Sequence, residues 1–327
     1  MVLSGTSVLV TGAAGFVGAN LVDELIRRQA DVHVMVRPGG DPTRLSAWRG
    51  RLTLHAADLR ERSDVEQAVS EARPAYVFNL ARPGGGPNAP WSELAATNVV
   101  GIANLLETLA AAGSRRLVQL GTALEYGPSD QPLDERSTAA PLTAAGATKA
   151  SATALCLAAS RSGALPATVL RPFMVYGPRD RERRLVPTAI RAALAGEELP
   201  LTGPGCRRDW IYVADVVEAC LLALDGRADG EVVNLATGRE SSNEEVVRAI
   251  ERAVGRSLRV RREALPARDW DRPHWAGSTS TAQELLGWRA RTALESGIRH
   301  TVDWTRAAAP PPRLRADELA PTRKALR

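Results

Sequence analysis

The chain has 327 residues, 44% apolar and 24% charged, enough for a large core in one compound domain or two fused ones. Its net charge of +5 is carried almost wholly by arginine, with lysine only at Lys149 and Lys324, and the arginines form no aromatic-interleaved stripe for nucleic acid. No apolar run approaches a bilayer span and no export signal is visible, so a cytoplasmic protein without membrane or nucleic-acid partners is expected. Cys156, Cys206 and Cys220 are too few and too scattered for a disulfide framework or a zinc site, so no metal is expected.

The chain is organised around its first element. Val8-Leu9-Val10-Thr11 is a short apolar run that leads into Gly12, Gly15 and Gly18, and the pattern turns amphipathic from Ala19 to Arg28. In a dinucleotide fold the first glycine permits a tight turn out of a strand, the second lets backbone approach a pyrophosphate, and the third lets helix meet strand. The free N–H groups of the helix then face the phosphates.

A second strand covers Asp31 to Val36 and ends in Arg37, and a third covers Leu52 to Ala57, closed by Asp58-Leu59. A helix from about Asp64 to Glu71 precedes a fourth strand, Ala75 to Leu80, and a glycine-rich loop, Ala81 to Pro87. A long helix covers roughly Trp91 to Ala112, a fifth strand Arg116 to Leu120, an alanine-rich helix Leu142 to Ser160, and a sixth strand Ala167 to Leu170. This alternation predicts an α/β fold with a doubly wound parallel sheet, the ligand lying beyond the carboxyl ends of its strands. The loops after Val10, Arg37, Leu80 and Leu120 should therefore converge.

Beyond Pro178 the regular alternation loosens. Helices are expected near Leu185 to Ala195, Asp215 to Leu224, Asn243 to Val254 and Leu294 to Thr305, and strands near Trp210 to Val213 and Val232 to Leu235. The expected division is a Rossmann domain over 1–180, with contributions returning near 207–240, and a smaller, irregular substrate domain over 181–306. The tail, 307–327, is expected to be loosely held.

Several ordered motifs stand along this frame. They are Thr11-Gly12-x-x-Gly15-x-x-Gly18, Asp58-Leu59, Leu80-Ala81, Thr97-Asn98-Val99 with Gly101, and Gly121-Thr122 ahead of Tyr126-Gly127. Further on come Thr148-Lys149, Arg171-Pro172-Phe173 with Tyr176-Gly177-Pro178, the run Arg207 to Val213, and Leu286-Gly287-Trp288. Together they resemble the extended short-chain dehydrogenase/reductase superfamily, in its nucleotide-sugar epimerase/dehydratase/reductase branch, over about residues 6 to 305.

The resemblance implies a Tyr-x-x-x-Lys pair on one helical face, in which lysine binds the nicotinamide ribose and lowers the tyrosine pKa while a Ser or Thr orients the reacting oxygen. Lys149 and Thr122 match this pattern. The tyrosine position is Ala145, which is either an engineered replacement that silences the enzyme or a natural absence, with the proton passing through Thr122, water, Tyr126 or Tyr176. Positions Ala123 and Leu124 lack the Asp-Glu pair of the family's 4,6-dehydratases, which disfavours that reaction. Cofactor contacts are implied for Gly12, Gly15, Phe16, Val17, Gly18, Arg37, Asp58, Leu59, Leu80, Ala81, Lys149 and Pro172.

An acid at the end of the second strand would suit the ribose 2′-hydroxyl of NAD. Arg37 suits a 2′-phosphate instead, with Arg44 a candidate second cation, so NADP(H) is preferred and NAD(H) is the alternative. The implied substrate contacts are Thr122, Met174 in place of the usual asparagine, Leu185 and Pro187 beside the base, and Arg208 and Arg268 on the diphosphate. Asp209 is expected to fix its loop and not to touch ligand.

The expected activity is NADPH-dependent reduction of a nucleotide-linked 4-keto-sugar. A nucleotide-sugar epimerase is the rival within the class, and an inactive dinucleotide-binding sensor is the rival outside it. The resemblance also implies a homodimer through the helices near 91–112 and 143–162.

Overall fold

The computed structural model describes residues 3–83, 89–180, 184–202, 206–265 and 274–307. In chain order its first half comprises β1 (Ser7–Thr11), α1 (Phe16–Arg27), β2 (Asp31–Val36), β3 (Thr53–Ala56), α2 (Arg62–Ala72) and β4 (Tyr76–Asn79). It continues through α3 (Trp91–Ala95), α4 (Gly101–Ala111), β5 (Arg116–Leu120), α5 (Ala144–Arg161), β6 (Ala167–Pro172) and β7 (Met174–Tyr176). The second half comprises α6 (Leu185–Ala195), β8 (Glu198–Thr202), β9 (Arg207–Tyr212), α7 (Val213–Leu222), β10 (Val232–Leu235) and β11 (Glu240–Ser242). It ends with α8 (Asn243–Val254), β12 (Arg259–Leu265), α9 (Ser280–Leu286) and α10 (Leu294–Ala307).

Seven strands form one parallel sheet in the order β10-β6-β5-β4-β1-β2-β3. The order reverses between β1 and β4, which opens the crevice expected of a doubly wound sheet. Both faces are covered, so the strands read as apolar runs. Val8 and Val10 point into a core shared with α1 and α7, whereas Leu9 points into a second core with α2, α4 and α5. The last strand of this sheet, β10, comes from residues 232–235, so the chain returns to the dinucleotide-binding half after passing through β8 and β9.

The long helix read over Trp91 to Ala112 is interrupted. A π-turn over Ala96–Val100 joins α3 to α4 and carries the Thr97-Asn98-Val99 motif. The extra residue per turn buries Asn98, whose amide Nδ2 donates to Thr148 Oγ1 on α5 at 2.9 Å. This stretch also corrects one sequence expectation. Trp91–Ala111 is long and apolar enough, with a mean hydropathy of 1.4, to meet the length and composition of a membrane span. Its residues Leu94, Ile102, Leu105 and Leu109 are nonetheless packed into the core, while Trp91 (79% exposed) and Val100 (50% exposed) face outward.

The remaining strands form small sheets, β11-β9-β7 and β12-β8. Sequence patterning misses β7, β8, β11, β12 and α9 for clear reasons. β8 carries Pro200, tolerated because among the described residues it pairs with β12 alone, and β12 alternates no apolar face (Arg259, Arg261 and Arg262 are exposed). Asp209, fully buried on β9, is the hub of this region: it accepts from Thr237 N (2.8 Å), Thr237 Oγ1 (2.6 Å) and Gly238 N (2.8 Å). Burial pushes its carboxyl above the usual range despite these donors.

Candidate active site

The carboxyl ends of β1, β2, β3 and β4 open into one cleft, lined by the Thr11–Gly15 turn, Arg37, Asp58 to Arg60 and Ala81 to Pro83. Gly12 sits at φ +66° with its Cα against the Leu80 carbonyl and Ala81 amide, so a side chain there meets both strain and collision. Gly15 is the N-cap of α1, and no side chain caps that end and no acid lies in its first turn. The first N–H groups of α1 are thus left for an anion, which fits the diphosphate of a dinucleotide. Gly18 and Phe16 are buried behind this turn, and Val17 is half-buried.

Arg37 is exposed at the end of β2, and its guanidinium makes no hydrogen bond to the described residues. Across the cleft mouth the Asp58 carboxylate receives a bidentate Arg60 guanidinium at 2.6 and 3.0 Å. Those hydrogen bonds, and the nearby charge of Arg37, hold the Asp58 carboxyl below its usual range. Arg44, the candidate second cation, is engaged by two backbone carbonyls. Its Nε donates to the Arg179 carbonyl at 3.1 Å and its Nη1 to the Ala14 carbonyl at 3.4 Å, so it clamps the glycine turn to a distant loop.

A polar row crosses the sheet at the strand ends. Thr11 Oγ1 donates to Asn79 Oδ1, Asn79 Nδ2 to Gln119 Oε1 (2.7 Å), and Gln119 Nε2 to the Leu120 carbonyl (3.2 Å). Lys149 meets the end of this row from α5, donating to the carbonyls of Leu120 (3.0 Å) and Ala81 (3.1 Å). Burial lowers its pKa to about 8. Asn79 and Gln119 escape sequence reading because each looks like one polar residue in an apolar strand.

Helix packing sets the first turn of α5 against the turn that begins at Thr122. Thr143 caps α5, its Oγ1 accepting from Gly146 N at 3.0 Å, and Gly146 lies so close to the Leu124 carbonyl that a Cβ has no room. The first turn of α5 therefore rests on the 3-10 turn Ala123–Glu125, which begins at Thr122. Thr122 and Glu125 form a capping box: Leu124 N donates to Thr122 Oγ1, and Thr122 N donates to Glu125 Oε1 at 2.9 Å. The Thr122 proton remains available to donate outward.

The two alternative tyrosines are engaged elsewhere. Tyr126, 1% exposed, donates to Asn234 Oδ1 at 2.9 Å, and Tyr176, 1% exposed, donates to the Leu294 carbonyl at 3.3 Å. Burial raises both phenol pKa values, Tyr176 far above the ordinary range. Neither replaces the phenol missing at position 145.

The expected substrate residues are only partly gathered. Met174 on β7 is paired with Trp210 of β9, and its sulfur accepts from Arg184 Nη2 at 3.1 Å, while Leu185 and Pro187 form the half-buried first turn of α6. Arg208 lies on β9 beside the buried Asp209. Pro172 ends β6 beside Leu235 of β10. Arg268 lies outside the described residues, as does the tail beyond 307.

Comparison with known proteins decides the family. Residues 8–236 match the NAD dependent epimerase/dehydratase family. The chain belongs to that family. A dTDP-glucose 4,6-dehydratase of Neisseria gonorrhoeae is 31% identical over 328 residues, spanning 91% of this chain and 95% of that protein. Among solved structures, the UDP-glucose 4-epimerase of Thermotoga maritima, bound to UDP-glucose, superimposes with a TM-score of 0.83 at 30% identity, covering 92% of this chain and 98% of that one. The protein MoeE5, in complex with UDP-glucuronic acid and NAD, gives 0.81 at 33% identity, covering 92% and 99%.

Of the positions that the resemblance singles out, Lys149 and Thr122 carry the expected side chains, Ala145 stands where a tyrosine is expected, and Ala123 and Leu124 carry no carboxylate.

Proposed function

We propose that this protein reduces the 4-keto group of a nucleoside-diphosphate sugar with NADPH. The observation that carries the reading is Arg37, an exposed guanidinium with no hydrogen bond to the described residues, at the cleft position where an acid would select NAD. The nearest acid on that loop, Asp41, accepts from the amide of its own Thr43 at 2.9 Å and from the Thr43 hydroxyl, holding a turn. When bound, the cofactor supplies hydride to a carbonyl carbon. Lys149 holds the ribose hydroxyls, and Thr122 donates to the carbonyl oxygen. With Ala123 and Leu124 beside it, no carboxylic acid pair is available to eliminate water.

For the nucleotide sugar, Leu185 and Pro187 wall the base, and Met174 replaces an amide against the sugar. Arg208 and Arg268 offer guanidinium groups to the diphosphate. Two similar structures support a second reading, an NAD-dependent epimerase, because one is a UDP-glucose 4-epimerase and the other, MoeE5, holds NAD. The two are separated by the fate of the cofactor. Net NADPH consumption with a nucleotide 4-keto-sugar supports the reductase, whereas tightly held NAD that survives purification and is not consumed supports the epimerase.

Arg37→Asp tests the cofactor assignment. Loss of one charge-assisted contact, about 1.5–3 kcal/mol, should raise the Kd of NADPH roughly 10- to 150-fold and leave NADH nearly unchanged. Equal losses for the two nucleotides, read by fluorescence titration, would overturn it.

We also propose a homodimer through the helices near 91–112 and 143–162. The outward Val100 and the alanines of α5 provide an apolar, small-residue surface that lets helices approach closely. The protein should sediment as a dimer at micromolar concentration and Val100→Glu as a monomer. A monomeric parent protein contradicts the assignment.

A further inference from the structure

Glu125 is a fully buried carboxylate that the mechanism above leaves without a role. Its Oε1 accepts from Thr122 N at 2.9 Å. Its Oε2 accepts from Thr153 Oγ1 (2.7 Å), Arg171 Nε (2.8 Å) and Arg171 Nη2 (2.8 Å). One side chain thus joins three elements: the Thr122 turn, α5 through Thr153, and β6 through Arg171. The strand end is shaped to admit it, since a Cβ on Gly121 would occupy the place of Glu125 Oε1. Thr153 is four residues beyond Lys149, so both side chains lie on the same face of α5, the face turned to Glu125.

We propose that Glu125 is the positioning residue of this site, fixing the Thr122 hydroxyl through the Thr122 amide and providing the counter-charge for Lys149 across the face of α5. The inference rests on reading Thr122 and Lys149 as the reaction machinery. Burial works to strip the proton from Lys149, and the Glu125 carboxylate is the strongest influence that keeps it on. The other titratable neighbour of Lys149, Cys156 one turn beyond Thr153, has its thiol pushed up to about 12 and is neutral at working pH. Around Glu125 itself the charged and titratable neighbours among the described residues include Lys149, Cys156, Arg171 and, stacked under that guanidinium at 4.6 Å, Tyr126. Arg171 is held against Glu125 at 2.8 Å, so its charge offsets part of the carboxylate's field at Lys149. A merely structural glutamate would hold the turn and leave the lysine indifferent.

The composition of the chain makes the test direct, because Lys149 and Lys324 are the only lysines. In protein labelled with 13C-lysine, two Cε signals are expected, and Lys149→Arg identifies the one from Lys149. In the parent protein that signal should titrate near pH 8, with the Lys324 signal as the internal reference. In Glu125→Gln the Lys149 midpoint should fall by about half a unit or more, with the Lys324 midpoint unchanged. The cofactor-binding pH profile should move the same way. A folded Glu125→Gln protein with an unmoved Lys149 midpoint overturns the proposal.

Removing one partner of a buried ion pair is strongly destabilising, so Glu125→Gln combined with Arg171→Met provides the same reading if the single variant does not fold. Its Lys149 midpoint should fall by less, because loss of the Arg171 charge works the other way, and a midpoint that rises overturns the proposal. The titration needs no cofactor or substrate. A downward midpoint in a protein that never oxidises NADPH would leave the role of Glu125 standing and refute the reductase reading alone.

Discussion

Ala145→Tyr is expected to raise turnover of a nucleotide 4-keto-sugar by about 10²–10⁴, the scale of one well-placed proton donor. Position 145 lies in the first turn of α5, four residues before Lys149 and therefore on its face of the helix. Thr143 caps that turn and Gly146 rests it against the Leu124 carbonyl, so a phenol at 145 is delivered beside Thr122 by rigid elements. The Lys149 ammonium ion favours the phenolate and brings the phenol pKa toward working pH. Cofactor and substrate affinities should change little, because a proton donor acts mainly in the transition state. Single-turnover NADPH oxidation by the two proteins, each with and without Lys149→Ala, measures the effect. If tyrosine brings no gain while Lys149→Ala still abolishes activity in the Ala145 protein, the chain delivers its proton through Thr122 or water. Tyr126 and Tyr176 are excluded by their buried hydrogen bonds to Asn234 and Leu294.

Cofactor affinity should be flat with pH below about 8 and fall by up to tenfold per unit above it. Lys149 has a pKa of about 8 in the folded protein, and the form that binds ribose hydroxyls as a donor is the ammonium ion. Above that value, binding must first return a proton to the amine, and linkage makes this tenfold for each unit until the pKa of the complex is reached. Calorimetric titration of the parent and Lys149→Met proteins reads it directly. The variant should bind more weakly at pH 7 and lose the slope, and an unchanged slope would show that another group is responsible. The stability of the cofactor-free protein runs the other way. The folded pKa lies below the ordinary value of 10.5, so between about 8 and 10.5 the unfolded chain holds more protons at this position. The contribution of Lys149 to stability therefore rises with pH across that window, and below pH 8 its penalty is fully present. Lys149→Met should accordingly melt higher than the parent at pH 7 in the absence of cofactor.

Local pattern by itself determined much of this protein. The strands Asp31–Val36 and Arg116–Leu120 and the helices Leu185–Ala195 and Asn243–Val254 are readable to the residue. Their apolar periods and bounding turn residues lie within the segments themselves. The Gly12-Gly15-Gly18 turn is equally legible, because a tight exit from a buried strand into a helix needs small residues at fixed spacing. Lys149 could be picked out because arginine supplies nearly all the other positive charge. Glu125 was legible in principle, as the last residue of a Thr-x-x-Glu capping box, although that spacing says nothing of Arg171 or Thr153.

Tertiary structure decided the rest. That the Arg44 guanidinium holds a carbonyl 135 residues away is visible only in the folded chain. Tyr126 and Tyr176 read as proton donors until their hydroxyls are found on partners 108 and 118 residues away. A return of the chain to the first domain near 207–240 is expected from the sequence, but the pairing of Val232–Leu235 with β6 at the sheet edge is not. A strand or helix declares itself through neighbours a few positions apart, whereas burial, the partner of a polar group and hence its charge are set by segments that only the folded chain brings together.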